Sequence, residues 1–114
     1  MNFPIKPVLA EIDTIAALGF DYVELAMDPP QAHYRQLLEG KKEILSRLDG
    51  HGLGLVCHMP TFVSTADLTD SIRQASQEEV LGSLDATAEL GAEKVVLHPS
   101  TVMGMASLVL DEAM

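Results

Sequence analysis

Two histidines, each close to a proline, are the residues of this chain whose type and spacing best suit chemistry. His58 lies in the run Val-Cys-His-Met-Pro, and His98 lies in the run Val-Leu-His-Pro-Ser. Neutral imidazole is a common ligand of zinc and similar ions, and two imidazoles on neighbouring strands can reach one ion. A single histidine at a strand end is more often a hydrogen-bonded structural residue, but two at equivalent positions favour a ligand pair. We therefore predict that His58 and His98 bind a divalent metal, with zinc or manganese as the first candidates.

Glu24 is the third candidate, because it interrupts the otherwise apolar run Tyr-Val-Glu-Leu. An ionised glutamate away from water is costly unless it is paired or bound to a metal. Alignment of the internal repeat described below places Glu24 opposite Val96, on the same face as His98 but one layer deeper. A ligand contact and a hydrogen bond to a neighbouring side chain both remain open for this carboxylate.

The remaining titratable residues carry weaker signals. His33 follows a Pro-Pro turn at the start of a helix and His51 lies between two glycines, so we predict that both are solvent-exposed and have no role. The pair Glu78-Glu79 is predicted to belong to a solvated helix face. Cys57, the only cysteine, lies in an apolar run and is predicted to be a buried thiol with no redox role.

An internal repeat indicates the elements that position these residues. Leu-Gly-Phe-Asp-Tyr-Val-Glu-Leu at 18–25 is echoed by Leu-Gly-Ala-Glu-Lys-Val-Val-Leu at 90–97, an offset of 72 residues (18 to 90). Each copy has a Leu-Gly that can end a helix, then an acidic residue and a short apolar run. A looser copy, Gly-Leu-Gly-Leu-Val-Cys at 52–57, lies between them. This spacing is typical of one strand and one helix per copy, as in a repeating β/α architecture.

Apolar residues recur at helical spacing between these strands, as at Val8, Ile12, Ile15 and Leu18. Strands that alternate with helices indicate a parallel sheet, and strands that are apolar on both faces indicate a sheet covered by helices. We therefore predict an α/β fold with about four parallel strands and flanking helices. The predicted elements are strand Met1–Ile5, a helix ending at Leu18, strand Tyr22–Met27, helix Gln31–Asp49, strand Leu53–His58, helix Asp70–Leu90 and strand Lys94–His98.

Charge and composition narrow the class of protein. Seventeen acidic residues against seven basic ones give a formal charge of −10, which repels phosphate backbones and makes a nucleic-acid partner unlikely. The apolar fraction of 47% favours a packed core over disorder. No apolar run approaches the roughly 20 residues of a membrane helix. We expect a single domain over residues 1–114, no membrane partner and a cytoplasmic location.

These motifs resemble the xylose-isomerase-like TIM-barrel superfamily, which includes sugar-phosphate isomerases and epimerases and the AP endonucleases of the endonuclease IV type. The resemblance spans roughly Glu11 to Ser100 and rests on the two Leu-Gly repeats and the two histidine runs. It implies that His58 and His98 bind metal, as their counterparts do in endonuclease IV-like members, and that Glu24 lies near substrate. Family barrels have eight strands and about 250 residues, with metal carboxylates on later strands. The resemblance therefore implies the N-terminal half of a truncated barrel with an incomplete metal site.

Three functions follow as hypotheses. The first is a divalent-metal-dependent sugar or sugar-phosphate isomerase or epimerase, expected to be inactive as this chain. The second is an endonuclease IV-like phosphodiesterase, and the third is a non-catalytic truncated barrel that self-associates. Open strand edges and an inner face without its opposing wall predict a homo-oligomer. Its expected interface is the strand face or the tail Val102–Met114.

Overall fold

Residues 1–98 are described by the computed structural model, and they contain three parallel strands in the order β1-β2-β3. The tail Val102–Met114, and any interface it forms, lie outside the described residues. The alternation of helix and strand confirms the predicted α/β fold. The elements are α1 Val8–Ala17, β1 Tyr22–Ala26, α2 Tyr34–Glu39, α3 Lys41–His51, β2 Gly54–His58, α4 Asp70–Leu90 and β3 Lys94–Val96.

One face of the sheet is covered by the helices. Val23 and Leu25 of β1 and Leu55 and Cys57 of β2 alternate along their strands, and all four are buried. They belong to the same core cluster as Ile12, Ile44, Leu48 and Leu90 from the helices. Because successive side chains point to opposite faces of a strand, the residues between them point away from the helices. Burial also raises the pKa of the Cys57 thiol, as expected for the predicted buried cysteine.

Glycines end two of the helices where the sequence indicates. Gly52 follows α3 with φ of 66° and Gly91 follows α4 with φ of 69°. Glycine adopts this left-handed conformation without steric cost, so each glycine ends its helix and directs the chain into the next strand. The predicted helix Asp70–Leu90 is observed with the same bounds. No helix among residues 1–98 is both long enough and apolar enough to cross a membrane.

The predicted helix Gln31–Asp49 is two helices, α2 and α3, that meet at Gly40. The backbone N–H of Gly40 donates to Gln36, and its carbonyl accepts from Ile44, so this glycine ends one helix and begins the next. At the start of α2, the ring Nδ1 of His33 accepts from the Arg35 N–H at 3.2 Å. The Gln36 side chain accepts from the His33 N–H at 3.1 Å and completes a capping box.

The predicted first strand, Met1–Ile5, is not observed, and the first element of the structure is α1. Asn2 nevertheless lies beside β1, where its N–H donates to the Glu24 carbonyl at 3.4 Å and its Oδ1 accepts from the Ala26 N–H at 2.7 Å. Pro4 lacks a backbone N–H, so it cannot donate the hydrogen bond that a continued ladder needs there. The described residues therefore contain three strands of the predicted four.

Candidate functional site

The structure brings the imidazoles of His58 and His98 together at the carboxyl ends of two adjacent parallel strands. Their ring centroids are 5.0 Å apart, with an angle of 44° between the ring planes. His58 is the last residue of β2 and is 7% exposed, whereas His98 lies two residues beyond β3 and is exposed. His58 pairs in register with Val96 and with Ala26, on the face away from the helices. Functional residues of β/α barrels lie at this end of the strands.

A backbone contact determines which nitrogen of His58 is available to a ligand. The ring Nδ1 lies 2.8 Å from the carbonyl oxygen of Met59. A carbonyl can only accept a hydrogen bond, so Nδ1 carries the proton and donates it. In the neutral ring, Nε2 then keeps its lone pair. Metal-binding histidines commonly donate one ring N–H to a carbonyl in this way, which orients the ring and leaves the other nitrogen for the ion.

The predicted position of Glu24 is wrong by one layer of the sheet. Glu24 pairs in register with Val56, and Val56 pairs with Lys94, whereas the repeat alignment placed Glu24 level with Val96. Strands of an eight-stranded barrel with a shear of 8 are staggered by about one residue per strand, which gives about two residues over two strands. The carboxylate therefore lies one layer below His58 and two layers below His98. It borders a cavity of about 460 Å³ that Lys94 also lines.

Two imidazoles fill only part of a metal coordination sphere. Zinc takes four ligands, and manganese commonly takes six. Within residues 1–98, no group of three or more histidine, cysteine, aspartate or glutamate side chains is arranged to hold a metal ion. The adjacent rings, with His98 exposed and Nε2 of His58 free, fit a partial site. Any further ligands of such an ion would have to come from groups other than the histidine, cysteine, aspartate and glutamate side chains of residues 1–98.

A buried carboxylate at the same end of the sheet was missed in the sequence. Asp28 follows β1 and is 2% exposed. Its Oδ1 accepts from the Thr61 N–H at 2.7 Å, and its Oδ2 accepts from the Thr61 hydroxyl at 2.8 Å. The sequence signal was the Asp-Pro-Pro turn directly after a strand, because aspartate commonly bonds to backbone N–H groups in turns.

The prediction of a solvent-exposed His33 is wrong, since its side chain is 23% exposed. Its Nε2 lies 2.7 Å from Oε2 of Glu79, so one member of the predicted solvated pair joins α4 to the start of α2. Because Nδ1 already accepts from Arg35, both ring nitrogens of His33 are used, and the residue is not a free ligand. His51 is exposed as predicted, and its Nε2 lies 2.8 Å from Oδ1 of Asp13.

The parallel β/α units and the histidine pair at the strand ends together define part of a TIM barrel. The chain belongs to the xylose isomerase-like TIM barrel family, whose profile matches residues 12–111. A solved structure described as a D-tagatose 3-epimerase-like protein superposes with a TM-score of 0.75 and 21% sequence identity. The match covers 96% of this chain and 40% of that protein, so the chain spans less than half of its length. A comparison with curated proteins gave no sequence match.

Proposed function

We propose that this chain contributes two metal ligands, His58 and His98, to a site of the sugar or sugar-phosphate isomerase and epimerase type. The observation that carries the proposal is the 5.0 Å separation of the two rings at the carboxyl ends of adjacent strands. The free Nε2 of His58 supports it, because this nitrogen is already oriented by the bond from Nδ1 to Met59. The solved relative is described as epimerase-like, which favours a small sugar as substrate.

The proposed reaction moves a proton at a carbon beside a carbonyl or hydroxyl group. A bound divalent ion supplies Lewis-acid polarisation of the substrate oxygen. The chain's part is to hold that ion with two oriented imidazoles. General acid and base catalysis also needs carboxylates near the reacting carbon. Since no described carboxylate joins the histidines in a metal-holding group, we propose that the 114-residue chain alone is inactive.

Glu24 is the proposed substrate contact, at the next layer of the same face. The layer spacing of about 7 Å along a strand means that a substrate must extend about that far below the His58 ring to reach Glu24. Lys94 lies in the same layer as Glu24, so this layer offers one acceptor and one cationic donor to a polyhydroxylated ligand. The chain's net charge of −10 favours such a small ligand over a nucleic acid.

Calorimetric titration with zinc and with manganese tests the metal proposal. We expect weak binding to the wild type, loss of that binding in His58→Ala and His98→Ala, and no change in His51→Ala. His51 is a matched control because it is an exposed histidine paired with Asp13. Tight binding that survives His98→Ala would contradict the assignment. Cleavage of abasic DNA by the wild type would favour the phosphodiesterase instead.

We also propose that the chain self-associates through the face that borders the 460 Å³ cavity. Phe20 and Tyr22 on this face are exposed, and contiguous apolar surface of this kind is unusual on a monomer. In a two-fold pair without bound substrate, Glu24 of one copy can face Lys94 of the other. Light scattering after size exclusion should report a dimer or a larger assembly.

The charges at this face allow a sharper test of self-association. Glu24→Lys or Lys94→Glu alone should weaken the assembly, because each creates like charges across the two-fold axis. The double exchange should restore it. A monodisperse wild-type monomer at micromolar concentration would contradict self-association, and unchanged assembly in both single variants would contradict this interface.

A further inference from the structure

The carboxylate of Asp28 joins the loop after β1 to the loop after β2. It accepts two hydrogen bonds from one residue, Thr61, at 2.7 Å from the backbone N–H and 2.8 Å from the hydroxyl. Hydrogen bonds to an ionised acceptor are about twice as strong as neutral ones. Because Asp28 is 2% exposed, loss of these bonds would leave a buried carboxylate without them, which is costly. The bridge between the two loops is therefore a strong constraint on Thr61.

Thr61 is three residues beyond His58, and the chain between them is fixed at both ends. The Met59 N–H donates to the Val96 carbonyl at 2.8 Å, and Thr61 is held by Asp28. Pro60, between them, has a φ fixed by its ring. These constraints limit the orientations that the Met59 carbonyl can adopt. This carbonyl is the acceptor for His58 Nδ1 at 2.8 Å.

Asp28 is itself anchored to the strand that carries His58. The N–H of Met27 donates to the His58 carbonyl at 3.0 Å, which continues the pairing of β1 with β2 by one residue. The carbonyl of Asp28 accepts from the Ala32 N–H at 3.0 Å and closes the turn that follows. The backbone on both sides of the Asp28 side chain is therefore held by hydrogen bonds. Its carboxylate can then hold Thr61 at a fixed position relative to His58.

We propose that Asp28 is a positioning residue for His58: through Thr61 it holds the Met59 carbonyl where it keeps the proton of the ring on Nδ1 and leaves Nε2 free. This proposal rests on the proposed role of His58 as a metal ligand. Its effect is on the tautomer of the ring, which exists with or without a bound ion. Partners that orient a metal-binding histidine typically change metal affinity by about 10- to 100-fold when they are removed.

The test combines ¹⁵N NMR of the histidine side chains, at a pH where the rings are neutral, with zinc titration. In the wild type, His58 should be protonated on Nδ1. Thr61→Val removes the hydroxyl donor at nearly constant shape, and Asp28→Ala removes the acceptor. Both should shift His58 toward a mixture of tautomers and weaken zinc binding, by roughly tenfold for Asp28→Ala. Thr61→Ser and Asp28→Asn keep hydrogen-bonding groups in place and should retain the wild-type tautomer.

The two readouts separate this proposal from the metal proposal. If His58→Ala abolishes zinc binding while Asp28→Ala and Thr61→Val leave tautomer and affinity unchanged, the positioning role is wrong and the metal site stands. If both variants shift the tautomer but zinc binding does not depend on His58, the positioning role is supported and the metal site is wrong. Should Asp28→Ala fail to fold, the comparison of Thr61→Val with Thr61→Ser still tests the positioning role.

Discussion

Replacement of Leu25 by alanine tests which face of the sheet the helices cover, and therefore which way His58 points. Leu25 is 0% exposed and pairs in register with Cys57, one residue before His58. The substitution removes three carbons, worth roughly 2.5 kcal/mol at about 0.8 kcal/mol per methylene group. The cavity left behind raises the expected loss of unfolding free energy to about 3–5 kcal/mol. That is a large part of the roughly 5–15 kcal/mol that stabilises a typical domain.

Urea unfolding followed by circular dichroism measures this loss, with Leu81→Ala as the matched control. Leu81 lies on α4 and is 61% exposed, so removal of the same atoms there should cost less than about 1 kcal/mol. A loss of unfolding free energy at Leu25 as small as that at Leu81 would contradict the burial of Leu25 under the helices. It would mean that the helices do not cover the face of the sheet that carries Leu25 and Cys57. In that case His58, on the opposite face, would lie beneath the helices.

Three further outcomes are expected. Gly82→Ala should destabilise the protein in urea despite the better helix propensity of alanine, because the new Cβ would lie 2.5 Å from Cζ of Tyr34, and adding Tyr34→Ala should recover part of the loss. Gly50→Ala, with no atom within 4 Å of the new Cβ, should instead stabilise the protein by up to about 1 kcal/mol. The hydrogen bond from His51 lowers the pKa of Asp13 below 3.8, so its stabilisation is present above that pH and is lost as the pH falls through the lowered value. His51→Ala should return the Asp13 titration measured by NMR toward 3.8, and an unchanged midpoint would contradict this cause.

Local patterns predicted most of the fold. The C-terminal end of α4 follows from Gly91, and the short strands follow from their apolar runs. The break at Gly40 could not be predicted, because the helical spacing of apolar residues continues across it. The capping box at His33 depends on a histidine ring as acceptor, which differs from the Ser or Thr of the usual signature.

The sequence predicts those parts of the candidate site that depend on where strands end. It does not predict those parts that depend on the register between strands or on contacts between distant residues. The proximity of His58 and His98 follows from two adjacent strands that each have a histidine at or just beyond the carboxyl end. The level of Glu24 along the sheet depends on how far neighbouring strands are shifted relative to one another. An alignment of sequence repeats carries no information about this shift. The contact from Asp28 to Thr61 joins residues that are 33 apart in sequence, and no local spacing indicates it.

Anomalous X-ray diffraction from crystals soaked in zinc shows directly whether His58 and His98 bind one metal ion. We expect a zinc peak between the two rings, about 2.0–2.1 Å from Nε2 of both His58 and His98, with Nδ1 of His58 still bonded to Met59. A peak on His51 and Asp13 with none between His58 and His98, or a zinc ion bound to Nδ1 of His58, would contradict it.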